Sequence, residues 1–287
     1  DTPFGSGKAI DLADGHVEIS TGEAEDTFDG GSAFSVSAWV KGWPGEFPES
    51  IVSKGYAIPK LDTSPNLKIW LDAEDSSSFQ LSGSEVVSWE SKSGESFDFD
   101  QKTGNPTRIV VNGKNVVNFD GNDQLWTNDA FLASNFTILS VSRLTGGQNN
   151  RLISSKDNNW LVGYWGGKVD RFFFNGWLTR GGSYADTNWH LHAITMNSSD
   201  QGNTWVDFTQ TTTNGNGAHN SNYAPSKLSF GANGNLSEAS KGEIAELLVF
   251  DSVLSTTDRE MIEGYLAHKW GLTNSLPNNH AYKTVSP

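Results

Sequence analysis

A clear structural signal in this chain is the run Trp160-Leu-Val-Gly-Tyr-Trp-Gly-Gly-Lys-Val-Asp-Arg-Phe-Phe-Phe-Asn-Gly-Trp-Leu178. Gly166 and Gly167 lie between two apolar segments, and glycine supplies the positive φ angles that tight hairpin turns need. Successive side chains of a strand point to opposite faces, so the aromatic rings of this run cannot all be buried on one side. The run therefore predicts an antiparallel hairpin whose rings divide between two faces.

The same pattern of short apolar segments and Asn-Gly, Asp-Gly or Gly-Gly turns extends from Leu67 to Phe250. We predict strands at residues 67–71, 86–89, 108–111, 116–119, 136–141, 151–154, 160–165, 171–178, 189–196, 204–209, 227–230 and 243–250. Regular short strands with such turns are typical of a sandwich or jelly roll. One helix is predicted at about 256–270, because Ser255 and Asp258 form a capping box and Gly271 is placed as a C-cap.

The composition narrows the class of function. Lys and Arg number 20 against 34 Asp and Glu, which gives a formal net charge of −14. A surface this negative repels phosphate backbones and anionic lipid, so nucleic acid and membrane-surface roles are disfavoured. No apolar run approaches the roughly 18–20 residues of a membrane span, so membrane insertion is not expected either. The chain has no cysteine and begins at Asp1, which suggests a disulfide-free, processed or excised piece.

The first part of the chain resembles the opening of the part that follows. Three ordered matches link the two parts: 7–15 with 113–121, 34–41 with 136–143, and 51–54 with 153–156. The proline-containing stretch 56–65 is the natural seam. We therefore predict a partial repeat with its linker at 1–62 and a complete domain at 63–287. Because bare strand edges promote aggregation, residues 1–55 either pair with the main sandwich, which we favour, or add to a neighbouring copy or domain.

Several short motifs follow one another in a defined order between residues 64 and 283. They are Leu67-Lys-Ile-Trp-Leu-Asp-Ala-Glu-Asp75, Gly113-Lys114 with Phe119-Asp120-Gly121-Asn122-Asp123, Trp189-His190, Val206-Asp207, Gly242-Glu-Ile-Ala-Glu246, and Glu260 to Gly271. In this order they resemble the laminin-G-like branch of the concanavalin A-like lectin/glucanase superfamily, in the form common in large secreted bacterial proteins. The resemblance implies an all-β jelly-roll sandwich of two antiparallel sheets in a secreted, extracellular or cell-surface protein. It implies less about function, because this superfold hosts lectins, matrix-protein domains and polysaccharide-cleaving enzymes.

Calcium (Ca²⁺) is the one cofactor that the sequence suggests. Asp120 and Asp123 offer oxygens on a turn, which is the ligand type that calcium prefers. Ala245 stands where the resembled family usually has Asp, which removes one carboxylate. Strict alternation places Glu246 on the same strand face as Ile244, so we expect it to be buried and partnered. A metal and hydrogen bonds to a turn are both open as its partner, and hydrogen bonding is favoured.

The sequence gives little support for catalysis. Retaining glycosidases need two carboxylates about 5–5.5 Å apart, and the resemblance implies a Glu-x-Asp-x-x-Glu string that does not occur here. The nearest pairs, Asp98 with Asp100 and Asp72 with Glu74, have acidic, serine-rich contexts typical of a solvated surface. The histidines at 190 and 192 lack a third ligand nearby, which favours packed residues over a zinc site. We predict that the protein is not an enzyme.

Sugar recognition is the function that the aromatic run favours. A ring that packs on a pyranose face, with polar groups at its edge, is the usual physical basis of carbohydrate binding, although any single ring could instead fill the core. The predicted ligand-binding residues are Trp165, Trp177, Tyr184, Arg180 and Asn175, with Asn220 and Tyr223 in a long polar loop. We therefore predict a non-catalytic, secreted carbohydrate-binding or adhesion module for a neutral or cationic polysaccharide or glycoconjugate. The alternatives are a structural, protein-binding or self-associating module of a large surface or matrix protein and, third, a polysaccharide-degrading enzyme.

Overall fold

The computed structural model describes Leu61, Ser64, residues 66–216 and residues 224–287. The partial repeat in residues 1–55 and the candidate residues Asn220 and Tyr223 lie outside the described residues. The described strands are β1 (Leu67–Asp72), β2 (Phe79–Ser82), β3 (Glu85–Trp89), β4 (Phe99–Thr103), β5 (Thr107–Val111), β6 (Lys114–Asp120), β7 (Gln124–Thr127), β8 (Phe136–Asn149), β9 (Ile153–Ser155), β10 (Trp160–Trp165), β11 (Lys168–Phe174), β12 (Trp177–Thr179), β13 (His190–Met196), β14 (Gln201–Val206), β15 (Thr209–Asn216), β16 (Leu228–Phe230) and β17 (Ser240–Phe250). One α-helix, α1 (Thr256–Trp270), follows them.

The described strands form two antiparallel layers. In the first layer, β17 pairs along one edge with β6 and β1, and its other edge continues through β8, β13, β14 and β15; β5 extends β6. The second layer runs from β2 through β3, β4, β7, β16, β9, β10 and β11 to β12. A single pair, Glu85 with Thr107, links the layers. The predicted all-β sandwich with one C-terminal helix is confirmed for the described residues.

A large apolar core fills the space between the two layers. Ile138 and Ile194 of the first layer belong to the same buried cluster as Phe99, Trp89 and Phe230 of the second. The rings of Phe99 and Phe230 stack at a centroid distance of 4.5 Å and an interplanar angle of 6°. Each such side chain that leaves water stabilises the fold by about 1.5–3 kcal/mol, so this core holds the two sheets together.

A second apolar cluster lies on the outer face of the first layer, beneath α1. Leu139, Ala193 and Leu248 of the sheet belong to it together with Ile262 and Leu266 of the helix. The central strands of the first layer are therefore covered on both faces. This double coverage explains why β17 is buried at every position except Lys241 instead of alternating between buried and exposed residues.

The helix has the bounds that its sequence predicts. Ser255 Oγ accepts a hydrogen bond from the Asp258 amide at 3.1 Å and donates to Asp258 Oδ2 at 2.7 Å. Gly271 adopts the left-handed conformation, with φ 73°, and its N–H bonds to Ala267 O. Both signals are local, which is why the sequence predicts them correctly. In the described part of the chain, no helix is long and apolar enough to cross a membrane.

Removal of the N-cap tests how much this local signal contributes. We expect Ser255→Ala to lower the free energy of unfolding by about 1 kcal/mol, because the Asp258 amide loses its acceptor. Denaturant unfolding measures the change. Thr257→Ala is the matched control, since Thr257 is exposed within the first turn and alanine is the better helix former. An equal loss in both variants would contradict the capping role.

Several predicted strands have different bounds in the structure. The predicted strand 171–178 is interrupted after Phe174, because Asn175 adopts a left-handed φ of 58° in a turn to β12. The predicted strand 204–209 ends at Val206, where Asp207 and Phe208 both have positive φ and form a hairpin turn to β15. β2, β4 and β7 are not predicted at all, because they are short and rich in polar residues.

Candidate functional site

The candidate site lies on the outer face of the second layer, where β10, β11 and β12 are neighbours. Trp160 and Val162 of β10 point into the core between the layers. The alternate residue Leu161 therefore points outward, and it lies opposite Phe173, which in turn lies opposite Trp177. Cross-strand register thus brings side chains of three strands into one outward row.

Aromatic rings from this row and from the ends of the strands form a contiguous cluster. The ring of Trp177 contacts that of Trp165 at 5.6 Å and 64°, and that of Phe173 at 5.1 Å and 73°. Edge-to-face contacts of this kind suit the ring quadrupoles. Trp165 and Trp177 are both half-buried. The two tryptophans therefore present two inclined surfaces, not one flat platform.

Basic side chains border these rings. The guanidinium carbons of Arg180 and Arg171 lie 5.2 Å and 5.9 Å from the centroid of Trp177. Lys168 Nζ lies 5.0 Å from the ring centroid of Tyr184, which is 78% exposed. Cation–π attraction holds such pairs together. Trp165, Phe173, Trp177 and Tyr184 with Lys168, Arg171 and Arg180 are called the aromatic face hereafter.

The segment 180–185 places Tyr184 because it runs back along the start of β11. The amide of Val169 donates to Ser183 O at 3.3 Å, and the amide of Ala185 donates to Gly167 O at 2.9 Å. This close approach requires Gly182, since a Cβ there would lie 1.9 Å from Val169 O and φ is 86°. The loop is therefore held against the strand by backbone hydrogen bonds.

A buried carboxylate anchors β11 beneath the aromatic face. Asp170 Oδ1 accepts a hydrogen bond from Thr211 Oγ1 at 2.8 Å, and Oδ2 accepts one from Thr179 Oγ1 at 3.4 Å. Burial raises the pKa of Asp170, and these two hydroxyl groups oppose the shift. These hydrogen bonds connect β11 to β12 and β15, and threonine hydroxyl groups engage both carboxylate oxygens of Asp170.

The structure brings together four of the predicted ligand-binding residues: Trp165, Trp177, Arg180 and Tyr184. Asn175 is exposed in the turn that precedes Trp177, and its backbone N–H donates to Asn159 O at 3.0 Å. Sequence reasoning missed Phe173, Arg171 and Lys168 as members of the site. Strand alternation within β11 could have indicated Arg171 and Phe173 as one outward pair, but the contact with Trp177 depends on cross-strand register.

The candidate metal residue Glu246 is fully buried under α1, and four protein donors surround it. Its Oε1 accepts hydrogen bonds from Trp70 Nε1 and Tyr265 OH, each at 2.8 Å. Its Oε2 accepts one from Trp270 Nε1 at 2.7 Å and lies 2.7 Å from Lys269 Nζ. Burial raises the pKa of Glu246, and the Lys269 charge opposes the shift. The expected burial is thus observed, with side-chain donors as partners instead of a turn.

The expectation that Glu246 shares a face with Ile244 is wrong. A bulge between these two residues shifts the register with β8. Ile244 consequently packs between the two layers, while Ala245 belongs to the cluster beneath α1 and Glu246 bonds to α1. Sequence alternation cannot show this bulge, because no glycine or proline marks it.

The other two candidate metal residues lie elsewhere. Asp123 Oδ1 and Oδ2 accept hydrogen bonds from the amides of Asn105 at 2.7 Å and Asp120 at 3.0 Å. Asp120 is paired with Lys241, whereas Glu246 lies further along β17, so the three acids do not converge. Over residues 66–216 and 224–287, no three His, Asp or Glu side chains are grouped to hold a metal ion. Calcium at the 120–123 turn stays a prediction.

The two histidines of β13 have different environments. His190 Nδ1 lies 2.7 Å from Asp207 Oδ2, and Nε2 lies 3.2 Å from Asp186 Oδ1. Although burial lowers it, hydrogen bonds and charges of these two acids raise the pKa of His190 overall. His192 is fully buried and has no hydrogen-bond partner in the described part of the chain, and burial lowers its pKa to about 3. His192 is therefore neutral at physiological pH.

A recess of about 530 Å³ lies beside α1. It is lined by Trp70, Asp72, Glu74, Lys92, Lys114, Tyr265, His268, Lys269 and Gly271. Asp72 lies 2.7 Å from Lys269 Nζ and 3.2 Å from Lys92 Nζ, and Glu74 accepts a hydrogen bond from the Asn115 amide. The carboxylates at 72 and 74 are thus engaged by lysines and backbone. This arrangement serves to dock the helix on the sheet.

Neither a scan against protein-family models nor a search of curated proteins found a match. One similar solved structure is domain 4 of AbnA, an extracellular GH43 arabinanase from Geobacillus stearothermophilus, in complex with arabinotriose. It is 12% identical to this chain, and the match covers 67% of this chain and 95% of that chain with a TM-score of 0.45. Trypanosoma rangeli sialidase is 13% identical over 67% of this chain and 32% of that one, with a TM-score of 0.46. The binding domain of Paraclostridial Mosquitocidal Protein 1 is 14% identical over 69% and 51%, with a TM-score of 0.49. Similarity of this degree identifies neither the family nor the function of this chain.

Proposed function

We propose that the aromatic face binds a saccharide and that the protein is a non-catalytic carbohydrate-binding or adhesion module at the cell surface or outside the cell. The observation that carries this proposal is the pair of half-buried tryptophans, Trp165 and Trp177, inclined at 64° and bordered by Arg180 and the exposed Tyr184. The C–H face of a sugar ring packs on such indoles, and polar groups beside them donate hydrogen bonds to its oxygens.

The rings are held in place before any ligand arrives. Trp177 makes edge-to-face contacts with Trp165 and Phe173, and the guanidinium groups of Arg171 and Arg180 lie over its ring. Side chains that are already ordered lose little conformational entropy on binding, and this raises affinity. The packing of the aromatic face thus supports a binding role.

The engagement of the nearest paired acids supports the non-catalytic part of the proposal. A glycosidase needs one carboxyl group as acid and one carboxylate as nucleophile or base. Asp72 instead forms ion pairs with Lys92 and Lys269, and Glu74 accepts a backbone hydrogen bond. Asp98 Oδ1 accepts the Ser91 amide at 2.9 Å. These acids serve structural contacts.

The proposal is tested by titrating the full chain calorimetrically with a panel of polysaccharides. We expect at least one to bind and Trp177→Ala to weaken that binding about tenfold or more, which corresponds to about 1.4 kcal/mol. Trp205→Ala is the control, because Trp205 is also half-buried and stacked under an arginine, Arg259, at 4.3 Å, but belongs to the helix side of the first layer. Binding to no polysaccharide, or equal losses in both variants, would contradict the proposal.

A further inference from the structure

The aromatic face is basic although the protein is acidic. The chain carries a net charge of −14, yet Lys168, Arg171 and Arg180 border Trp177 and Tyr184. Within the described ranges, no carboxylate forms an ion pair with any of these three side chains. Three cations around one aromatic cluster therefore lack the carboxylate partners that seven of the other described lysines and arginines have.

Arg171 has an incompletely used guanidinium group. It is only 7% exposed. Its Nη1 donates to Gly181 O, whereas its buried Nε has no hydrogen-bond partner among the residues that the structure describes. A buried donor without an acceptor is costly, so an acceptor placed there is stabilising. The edge of a guanidinium that includes Nε is one that binds both oxygens of a carboxylate in parallel.

Arg180 adds a second guanidinium to the same ring. Burial lowers the pKa of Arg171; the Asp170 charge opposes this, and the charge of Arg180 lowers the pKa further. Both guanidinium carbons lie within 5.9 Å of the centroid of Trp177, so the two like charges are near enough to disfavour each other. Asp170 does not relieve this with an ion pair, because its oxygens accept from Thr179 and Thr211. An anion between the two arginines would remove the repulsion.

We infer that the aromatic face recognises an acidic saccharide, such as a uronate unit, with its carboxylate bound by Arg171 and Arg180 and its ring packed on Trp177. The inference rests on the proposed function and narrows it to one ligand class. The inferred ligand is acidic, whereas the net charge of the sequence favours a neutral or cationic glycan. The two differ because a net charge does not show how charged side chains are distributed over the surface. A guanidinium group can donate two parallel hydrogen bonds to a planar carboxylate. The two arginines therefore recognise a carboxylate by geometry as well as by charge.

The test compares each acidic polymer with its own neutral form. The full chain is titrated calorimetrically with polygalacturonate, alginate and hyaluronan, and with the same polymers after reduction of their carboxyl groups to alcohols. We expect at least one acidic polymer to bind roughly tenfold or more tightly than its reduced form. We also expect this preference to weaken when salt rises from about 0.05 to about 0.5 M, because exposed charges are screened.

Variants locate the preference at the aromatic face. Arg180→Gln changes an exposed side chain and should lose most of the preference, because it weakens binding of the acidic polymer by a larger factor than binding of the reduced polymer. Arg180→Lys keeps the charge without the fork and should be intermediate. Lys241→Gln removes the same charge from an exposed position on β17 and should leave the preference unchanged.

The outcomes separate this inference from the proposed function. Equal binding of acidic and reduced polymers, with a loss in Trp177→Ala, overturns the acidic specificity alone. Tighter binding of dextran sulfate than of every carboxylated polymer overturns the assignment of a carboxylate. Equal losses in Arg180→Gln and Lys241→Gln overturn the location. Binding to no acidic or neutral polymer overturns both proposals.

Discussion

Replacement of Glu246 by alanine should lower the free energy of unfolding by about 3–5 kcal/mol, the cost of leaving one member of a buried ion pair without its partner. Glu246 is fully buried, and Lys269 Nζ lies 2.7 Å from its Oε2. Trp70, Tyr265 and Trp270 donate to the same carboxylate. The substitution removes the acceptor that joins β1, β17 and α1. The helix should therefore loosen with the loss of this one group.

Denaturant unfolding of the wild type and the variant measures the loss. Glu95→Ala is the control, because Glu95 pairs with Lys68 at 2.8 Å but has a side chain that is 46% exposed. Exposed ion pairs contribute about 0–1 kcal/mol. Losses of similar size in the two variants would show that Glu246 does not organise the helix–sheet contact.

The second large effect is a pH dependence that depends on Glu263. This residue is 1% exposed, and it pairs through Oε1 with Arg259 Nη1, while His280 Nε2 lies 3.5 Å from its Oε2. Burial raises the pKa of Glu263 from 4.5 to about 7, against the opposing charge of Arg259. A raised pKa means that the folded state favours the protonated form. Its stabilising effect is thus complete below pH 4.5 and is lost as the pH rises through 7.

The difference in unfolding free energy between the wild type and Glu263→Gln isolates this effect. Between pH 4.5 and 8, we expect the wild type to lose about 3 kcal/mol relative to the variant, at about 1.4 kcal/mol for each tenfold change in proton affinity. Denaturant unfolding at intervals of one pH unit gives the curve. Glu95→Gln, an exposed control, should follow the wild type. A constant difference between wild type and Glu263→Gln would rule out titration of Glu263 in this range.

Local signals were sufficient to predict α1 and the β10–β11 hairpin. The Ser255 cap, the Gly271 terminus and the Gly166-Gly167 turn each act within a few residues, so the sequence shows them directly. β7 differs, because its buried Gln124 is satisfied by Ser229 Oγ at 2.8 Å, from a strand far away in the chain. A polar segment of this kind becomes a strand only through tertiary partners.

The candidate site was predicted only in part, because some of its features are local and others depend on pairing between strands. Trp165 and Trp177 are predicted as ligand-binding residues because polar residues and glycines lie beside them in the sequence, which is a local signal. The positions of Arg171 and Arg180 beside these rings depend on how β11 pairs with β12 and on how the segment 180–185 folds back. The bulge before Glu246 likewise arises from pairing with β8. The sequence of one strand does not show its register with neighbouring strands, and these contacts depend on that register.

Helix α1 conceals one side of the sandwich, and this has a consequence for how such a protein can diversify. Side chains of the first sheet are locked between two apolar clusters, so a change there disturbs the whole framework. The outward-facing rings of Trp165 and Trp177 contact each other, Phe173 and the nearby arginines. New specificities can therefore arise on that side by exchange of a few rings and charges, while the architecture behind them remains intact.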